Sequence, residues 1–139
     1  MVCTDFEVFE HTADVGLRLA RATLAELFRD AAFAMFCIMA PGCELKSRLV
    51  KHIRVQADDL EELLVSWLSE LNFLFQTELF APAEVNLKID NNDLFATVAG
   101  EIIDPLQHRI ELEIKAITYH KILVANKNGL WRAQVIFDI

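Results

Sequence analysis

Between Leu60 and Phe75 the chain places Leu60, Leu63, Leu64, Trp67, Leu68, Leu71, Leu74 and Phe75 at helical spacing. That makes one apolar stripe which has to be buried along its whole length. Asp58-Asp59-Leu60-Glu61 opens the segment, and Glu61, Glu62, Ser66, Ser69 and Glu70 fall mainly on the opposite face. A helix of this kind needs a surface to lie on, and the following residues supply it. From about Val85 the period changes from helical to alternating. Val85, Leu87 and Ile89 alternate, Asp90 to Asp93 reads as a polar turn, and Leu94 to Ile103 follows as a strand. Helices first and strands afterwards indicate an α+β protein, with two main helices packed on a mixed or antiparallel sheet.

The first half adds the second helix and the early strands. Phe6 to Glu10 and Val15 to Ala20 read as strands around the turn His11-Thr12-Ala13-Asp14. Thr23-Leu24-Ala25-Glu26 fits a capping box, in which hydroxyl and carboxylate each satisfy a free amide. Leu24, Leu27, Phe28, Ala31, Met35 and Ile38 then recur at helical spacing, and Pro41-Gly42 ends the helix. Its second half is apolar nearly all round, which predicts cover on several sides. His52 to Ala57 reads as a strand with Ile53 and Val55 inward.

In the second half, Asp104 to His108 reads as a loop. Ile110, Leu112, Ile114 and Ala116 alternate with Glu111, Glu113 and Lys115, which predicts another strand. Thr118 to Ala125 and Leu130 to Asp138 flank Asn128-Gly129 as a hairpin. Counting outward from a two-residue turn sets Lys127 against Leu130, Asp138 against Tyr119 and Ile139 against Thr118. No linker, repeat or low-complexity stretch interrupts residues 1–139, which read as a single domain.

Composition narrows the function. Thirteen Lys and Arg against 21 Asp and Glu give a formal net charge of −8. Such a chain repels phosphate backbones and lacks a basic stripe, so direct nucleic-acid binding is not expected and RNA would be held by another protein. Cys3, Cys37 and Cys43 are odd in number and lack metal or redox spacing, which suggests a reducing compartment without a disulfide framework. Cys37 reads as a small core residue. The opening, interrupted by Asp5, Glu7 and Glu10, does not read as a signal peptide. The apolar run Ala31 to Ala40 is too short to span a bilayer, so the expected location is cytoplasmic.

Chemistry-bearing groups are few. Asp14, Asp138 and the α-carboxylate of Ile139 stand at element ends and form a candidate set of hard oxygen donors, suited to calcium, magnesium or manganese. The alternative is a turn cap at Asp14 and a solvated terminal residue at Asp138. His11 and Asp14, three apart, evoke a zinc or general-base site, but no helical pair of histidines and no cysteine supports it. His52, His108 and His120 read as structural or solvated. Lys115 either positions an anion or occupies the exposed phase of a strand. Four glycines and no Gly-rich loop argue against a nucleotide pocket built on backbone amides.

These residues also carry a family likeness. His11-Thr12-Ala13-Asp14-Val15-Gly16, Asp58-Asp59-Leu60-Glu61, and Gly100-Glu101 with Asp104 and His108 resemble the archease signature. Lys115-Ala116-Ile117-Thr118-Tyr119-His120 and the ending Phe137-Asp138-Ile139 complete it in the same order. Where the family usually has a glycine-containing turn, this chain reads Arg109-Ile110-Glu111-Leu112-Glu113-Ile114. The resemblance implies an archease fold of the strand–helix–strand–strand (SHS2-like) type. It implies a non-enzymatic protein cofactor of an RtcB-type RNA ligase, acting in tRNA splicing and RNA repair. Such a cofactor promotes guanylylation of the ligase's active-site histidine, permits repeated turnover and can broaden nucleotide use. It also implies a metal site on Asp14, Asp138 and Ile139, with calcium first and magnesium or manganese as alternatives. Self-association is left open, and no membrane partner is expected. Two rival readings are a small metal-dependent hydrolase using Asp14, His11 and the terminal carboxylates, and a general chaperone or adaptor for RNA-modifying enzymes.

Overall fold

The computed structural model describes residues 3, 5–10 and 12–139. Among these, the order is β1 (Phe6–Glu10), β2 (Asp14–Arg21), α1 (Leu24–Met39), β3 (Leu49–Gln56), α2 (Leu60–Glu78), β4 (Phe80–Asp90), β5 (Asp93–Ile102), β6 (Ala116–Lys127) and β7 (Leu130–Asp138). The strands form two antiparallel sheets instead of the one expected. One has four strands in the order β1-β2-β7-β6, and the other has three in the order β3-β5-β4. Both helices pack on strands of both sheets. That arrangement explains why α1 is apolar nearly all round: Leu27, Phe28, Ala31, Met35, Phe36 and Met39 are all buried.

Local chemistry starts each helix where its cap predicts. The Thr23 hydroxyl accepts the Glu26 amide proton at 3.2 Å. The same hydroxyl donates to the Glu26 carboxylate at 2.8 Å, so the carboxylate binds the cap's side chain. Asp59 caps α2 by accepting from the Glu62 amide at 2.8 Å. Leu79, in the left-handed conformation, closes α2 by donating to Phe75 O. Its chain continues directly into β4, five residues before the alternation at Val85 becomes legible. The two helices are joined by the Trp67 indole N–H, which donates to Phe28 O at 3.0 Å inside the core.

Two predicted features are corrected. Residues 103–115 contain no strand, although Ile110, Leu112 and Ile114 alternate strictly with Glu111, Glu113 and Lys115. This segment crosses over the helices instead of joining a sheet. The Glu111 and Leu112 amides donate to Met39 O, and Ile114 O accepts from the Asn72 and Gln76 side chains. Ile114 is fully buried there and Leu112 half-buried, whereas Ile110 is exposed, so only the later part of the alternation reflects packing on the helices. The second correction is the cystine Cys3–Cys37, which ties the N-terminal segment to α1 and leaves Cys43 as a free thiol. Cys37 is buried, as expected, but it is disulfide-bonded. No helix among the described residues is long and apolar enough to cross a membrane.

Gly100 explains one block of the sequence pattern. A Cβ at this position would fall on the main chain of Ala81 and Pro82, beside the β4 irregularity at Pro82/Glu84. Backbone cannot yield as a side-chain tip can. Gly100→Ala is therefore expected to cost about 2–3 kcal/mol, read as a lower urea midpoint at unchanged slope.

Candidate functional site

The carboxylate end of the four-stranded sheet is built by one ladder. The β2–β7 pairing runs unbroken from Arg21↔Trp131 to Asp14↔Asp138, so the two aspartates are direct antiparallel partners. Residues directly opposite share a face. Asp14 and Asp138 therefore stand on the same side as Gly16 and Ile136, away from buried Leu17, Val135 and Phe137. The Ile139 amide donates to Ala13 O at 3.2 Å, which holds the last residue beside Asp14. Its side chain is half-buried against the core. The Lys115 amide donates to Asp138 O at 2.8 Å from the other side. Sequence reasoning placed Asp14, Asp138 and Ile139 together. It missed the Ala13 carbonyl and the Lys115 amide, main-chain groups that leave no trace in residue type.

The expected partner of Asp138 was wrong. Asp138 faces Ala116, not Tyr119, and the Lys115 amide meets the Asp138 carbonyl where Thr118 was expected to face Ile139. The count from the turn holds as far as Leu123↔Gln134 and then breaks, because β6 carries a bulge before Thr118↔Ile136. Lys121 takes a positive φ of 53° there. The Gln134 side chain donates to Lys121 O, and the Thr118 hydroxyl both donates to Ile136 O and accepts from the His120 amide.

Asp14 Oδ1 is buried and has no hydrogen-bond partner among the described residues. A buried carboxylate oxygen normally has one, and leaving it bare is costly. Asp138, an exposed residue, is its direct strand partner, so a second hard anionic donor stands at the neighbouring position of the ladder. That donor chemistry fits a divalent cation such as calcium. Among the described residues, no group of three or more His, Cys, Asp or Glu stands at metal-ligating spacing. Any third donor from the proposed set is the main-chain carboxylate of Ile139. His11, the other candidate at this turn, lies outside the described residues.

The remaining candidates have structural duties. His108 Nδ1 accepts the Asp104 amide proton at 3.0 Å, and its Nε2 lies 3.8 Å from a Glu101 carboxylate oxygen. Glu101 also accepts from the Lys46 amide. The Asp104 carboxylate caps the Leu106 amide at 3.0 Å. Gly100-Glu101, Asp104 and His108 thus brace the crossing segment against the loop before β3. Phe9 seats its ring over Gly16, and the Arg18 guanidinium stacks on it at 4.0 Å from the ring centre.

Two helices packed against two antiparallel sheets, with acidic strand ends paired at one edge, define an α+β protein of the archease fold. Residues 6–139 match the archease protein family. Among curated relatives, the chain is 36% identical to the protein archease of Pyrococcus furiosus, over 96% of this chain and 98% of that one. It is 34% identical to the protein archease of Sulfurisphaera tokodaii, again over 96% and 98%. The solution structure of protein 1598 from Methanobacterium thermoautotrophicum superposes with a TM-score of 0.79 at 32% identity, covering 96% of this chain and 98% of that one. A Thermotoga maritima crystal structure, described as an archease and "possible chaperone", gives 0.66 at 22% identity, covering 94% of each chain, and speaks to fold alone. The chain belongs to the archease family.

Proposed function

We propose that this protein is a non-catalytic cofactor of an RtcB-type RNA ligase, promoting guanylylation of the ligase and its repeated turnover in tRNA splicing and RNA repair. Family membership across residues 6–139 is the observation that carries this reading. The working surface in this proposal is the end of the sheet at Asp14, Asp138 and Ile139, which hold one divalent cation, calcium first and magnesium or manganese next. When bound, the cation would offset most of the repulsion among the carboxylates and leave that edge weakly acidic. The chain's own part is positional: the β2–β7 ladder sets Asp14 against Asp138, and Ala13 O holds Ile139 beside them. The acidic end then meets the basic mouth of the ligase, where complementary charge favours encounter and orientation.

Adding the protein to substoichiometric ligase with GTP, manganese and broken RNA is expected to raise the number of joined ends per ligase. No gain at any ratio removes the ligase role. The cation site has its own readout. Asp14→Asn removes one of two carboxylates paired across the ladder, together with its bare oxygen, so without metal the variant is expected to melt at or above the wild type. Calcium at about 100 times its Kd stabilises the wild type by about 2.7 kcal/mol and leaves the variant unmoved. Equal calcium shifts in both proteins would exclude Asp14 as a ligand.

A further inference from the structure

The outer face of the three-stranded sheet gathers a second set of groups that the carboxylate end does not use. Phe95 stands on the middle strand, directly between Arg54 on β3 and Lys88 on β4. The next row is His52, Thr97 and Asn86, again side by side. These residues line an open depression of about 450 Å³. Leu94, Ala96 and Val98 of the same middle strand are buried on the other side, so the platform is backed by core. Phe95 is 41% exposed, although a ring of its size normally seeks cover.

The surroundings of Phe95 define what would cover it. The Arg54 guanidinium lies over the ring, 5.1 Å from its centre, and is held in place by Asp93 at 2.9 Å, so the guanidinium plane itself is the stacking surface on that face and the ring backs it. Lys88 has no ion-pair partner among the described residues. A flat ring flanked by two cations, with imidazole, hydroxyl and amide groups one row away, suits a planar ligand with a polar edge and a nearby negative charge. An unpaired nucleobase has all three properties. An aliphatic ligand would leave the polar row unmatched, and a duplex keeps its base faces stacked and out of reach.

The same face also limits the mode of binding. Asp93 and Asp90 close one end and Glu84 lies towards the other, and the whole chain carries a net charge of −8. A platform of this charge cannot neutralise a long backbone, so on its own it binds one base weakly, in the range NMR detects, and a longer strand has to be held by another protein. We propose that the outer face of β3–β5, centred on Phe95 with Arg54 and Lys88, is a stacking platform for an unpaired base of single-stranded RNA. Its place beside the ligase rests on the cofactor reading: the strand offered is the RNA that the ligase holds.

The test titrates the full-length protein with a short single-stranded oligoribonucleotide, following backbone amide shifts by NMR. The duplex of the same sequence and GTP serve as parallel arms. Shifts are expected along Arg54, Phe95, Thr97 and Lys88. Phe95→Ala should weaken binding about tenfold, since one base–aromatic stack contributes about 1–3 kcal/mol, and Phe95→Tyr should restore it. Lys88→Glu, a fully surface change, should weaken binding and lower the salt slope from about −1.4, the value for two cations meeting a single strand. Absent shifts, shifts mapping elsewhere, or equal affinity of Phe95→Ala would each overturn the platform, as would GTP or duplex binding as tightly as the single strand. Because no ligase is present, failure here leaves the cofactor reading standing. Conversely, a protein that binds RNA but never stimulates ligase removes only the latter.

Discussion

Trp67→Ala is expected to destabilise the fold by about 4–6 kcal/mol, more than any surface substitution would. Trp67 is fully buried on α2, so its removal leaves a cavity of indole size, which alone costs about 3–5 kcal/mol. The indole N–H also occupies Phe28 O across the helix pair. Losing it removes a side-chain hydrogen bond between α1 and α2, for about 1 kcal/mol more. Trp67→Phe keeps most of the volume and should cost less than half as much. Urea denaturation at constant slope checks both values. A midpoint within error of the wild type for the alanine variant would mean that the two helices are held together by something else.

Reduction of Cys3–Cys37 is expected to lower stability by about 3–4 kcal/mol. The bond spans 34 residues, enclosing β1, β2 and most of α1. On the chain-entropy account, opening a loop of that length releases the unfolded chain by this amount. Melting the protein with and without a phosphine reductant measures it, and Cys3→Ser should behave as the reduced wild type does. Cys43 stays a free thiol in both states. Coincident melting curves would show that the bond contributes nothing to the folded state's advantage.

Trp67 and the cystine differ in how far residue order reveals them. Trp67 was legible, because helical spacing from Leu60 to Phe75 assigns it to the buried stripe without reference to other elements. The cystine was not, since no local spacing connects Cys3 with Cys37 and the pairing depends on how the N-terminal segment meets α1. The division into two sheets was hidden for the same reason: β3 pairs with β5 across the whole of α2 and β4. The alternation at Leu112 and Ile114 reflects packing on helices, and Ile110 is exposed.

The adjacency of Asp14, Asp138 and Ile139 was legible, but the register of β6 beside them was not. Asp14 and Asp138 meet as expected, although the hairpin count misplaced the β6 partner by three residues. One signal could have revealed the bulge. Ile117 and Val124 both face inward yet stand an odd number of residues apart, which a continuous strand cannot provide. Between them, Tyr119, His120 and Lys121 are all exposed.

The bulge also separates two tolerances within one sheet. β7 is aligned on β2 by a ladder with no break, whereas its pairing with β6 is interrupted. Residues gained or lost between Thr118 and Leu123 can be absorbed as slack, leaving the two acidic partners where they were. A single deletion inside β7 has no such reserve: it would slide Asp138 off Asp14 and turn its side chain to the other face. Length variation among natural relatives should therefore collect in the first place and be absent from the second.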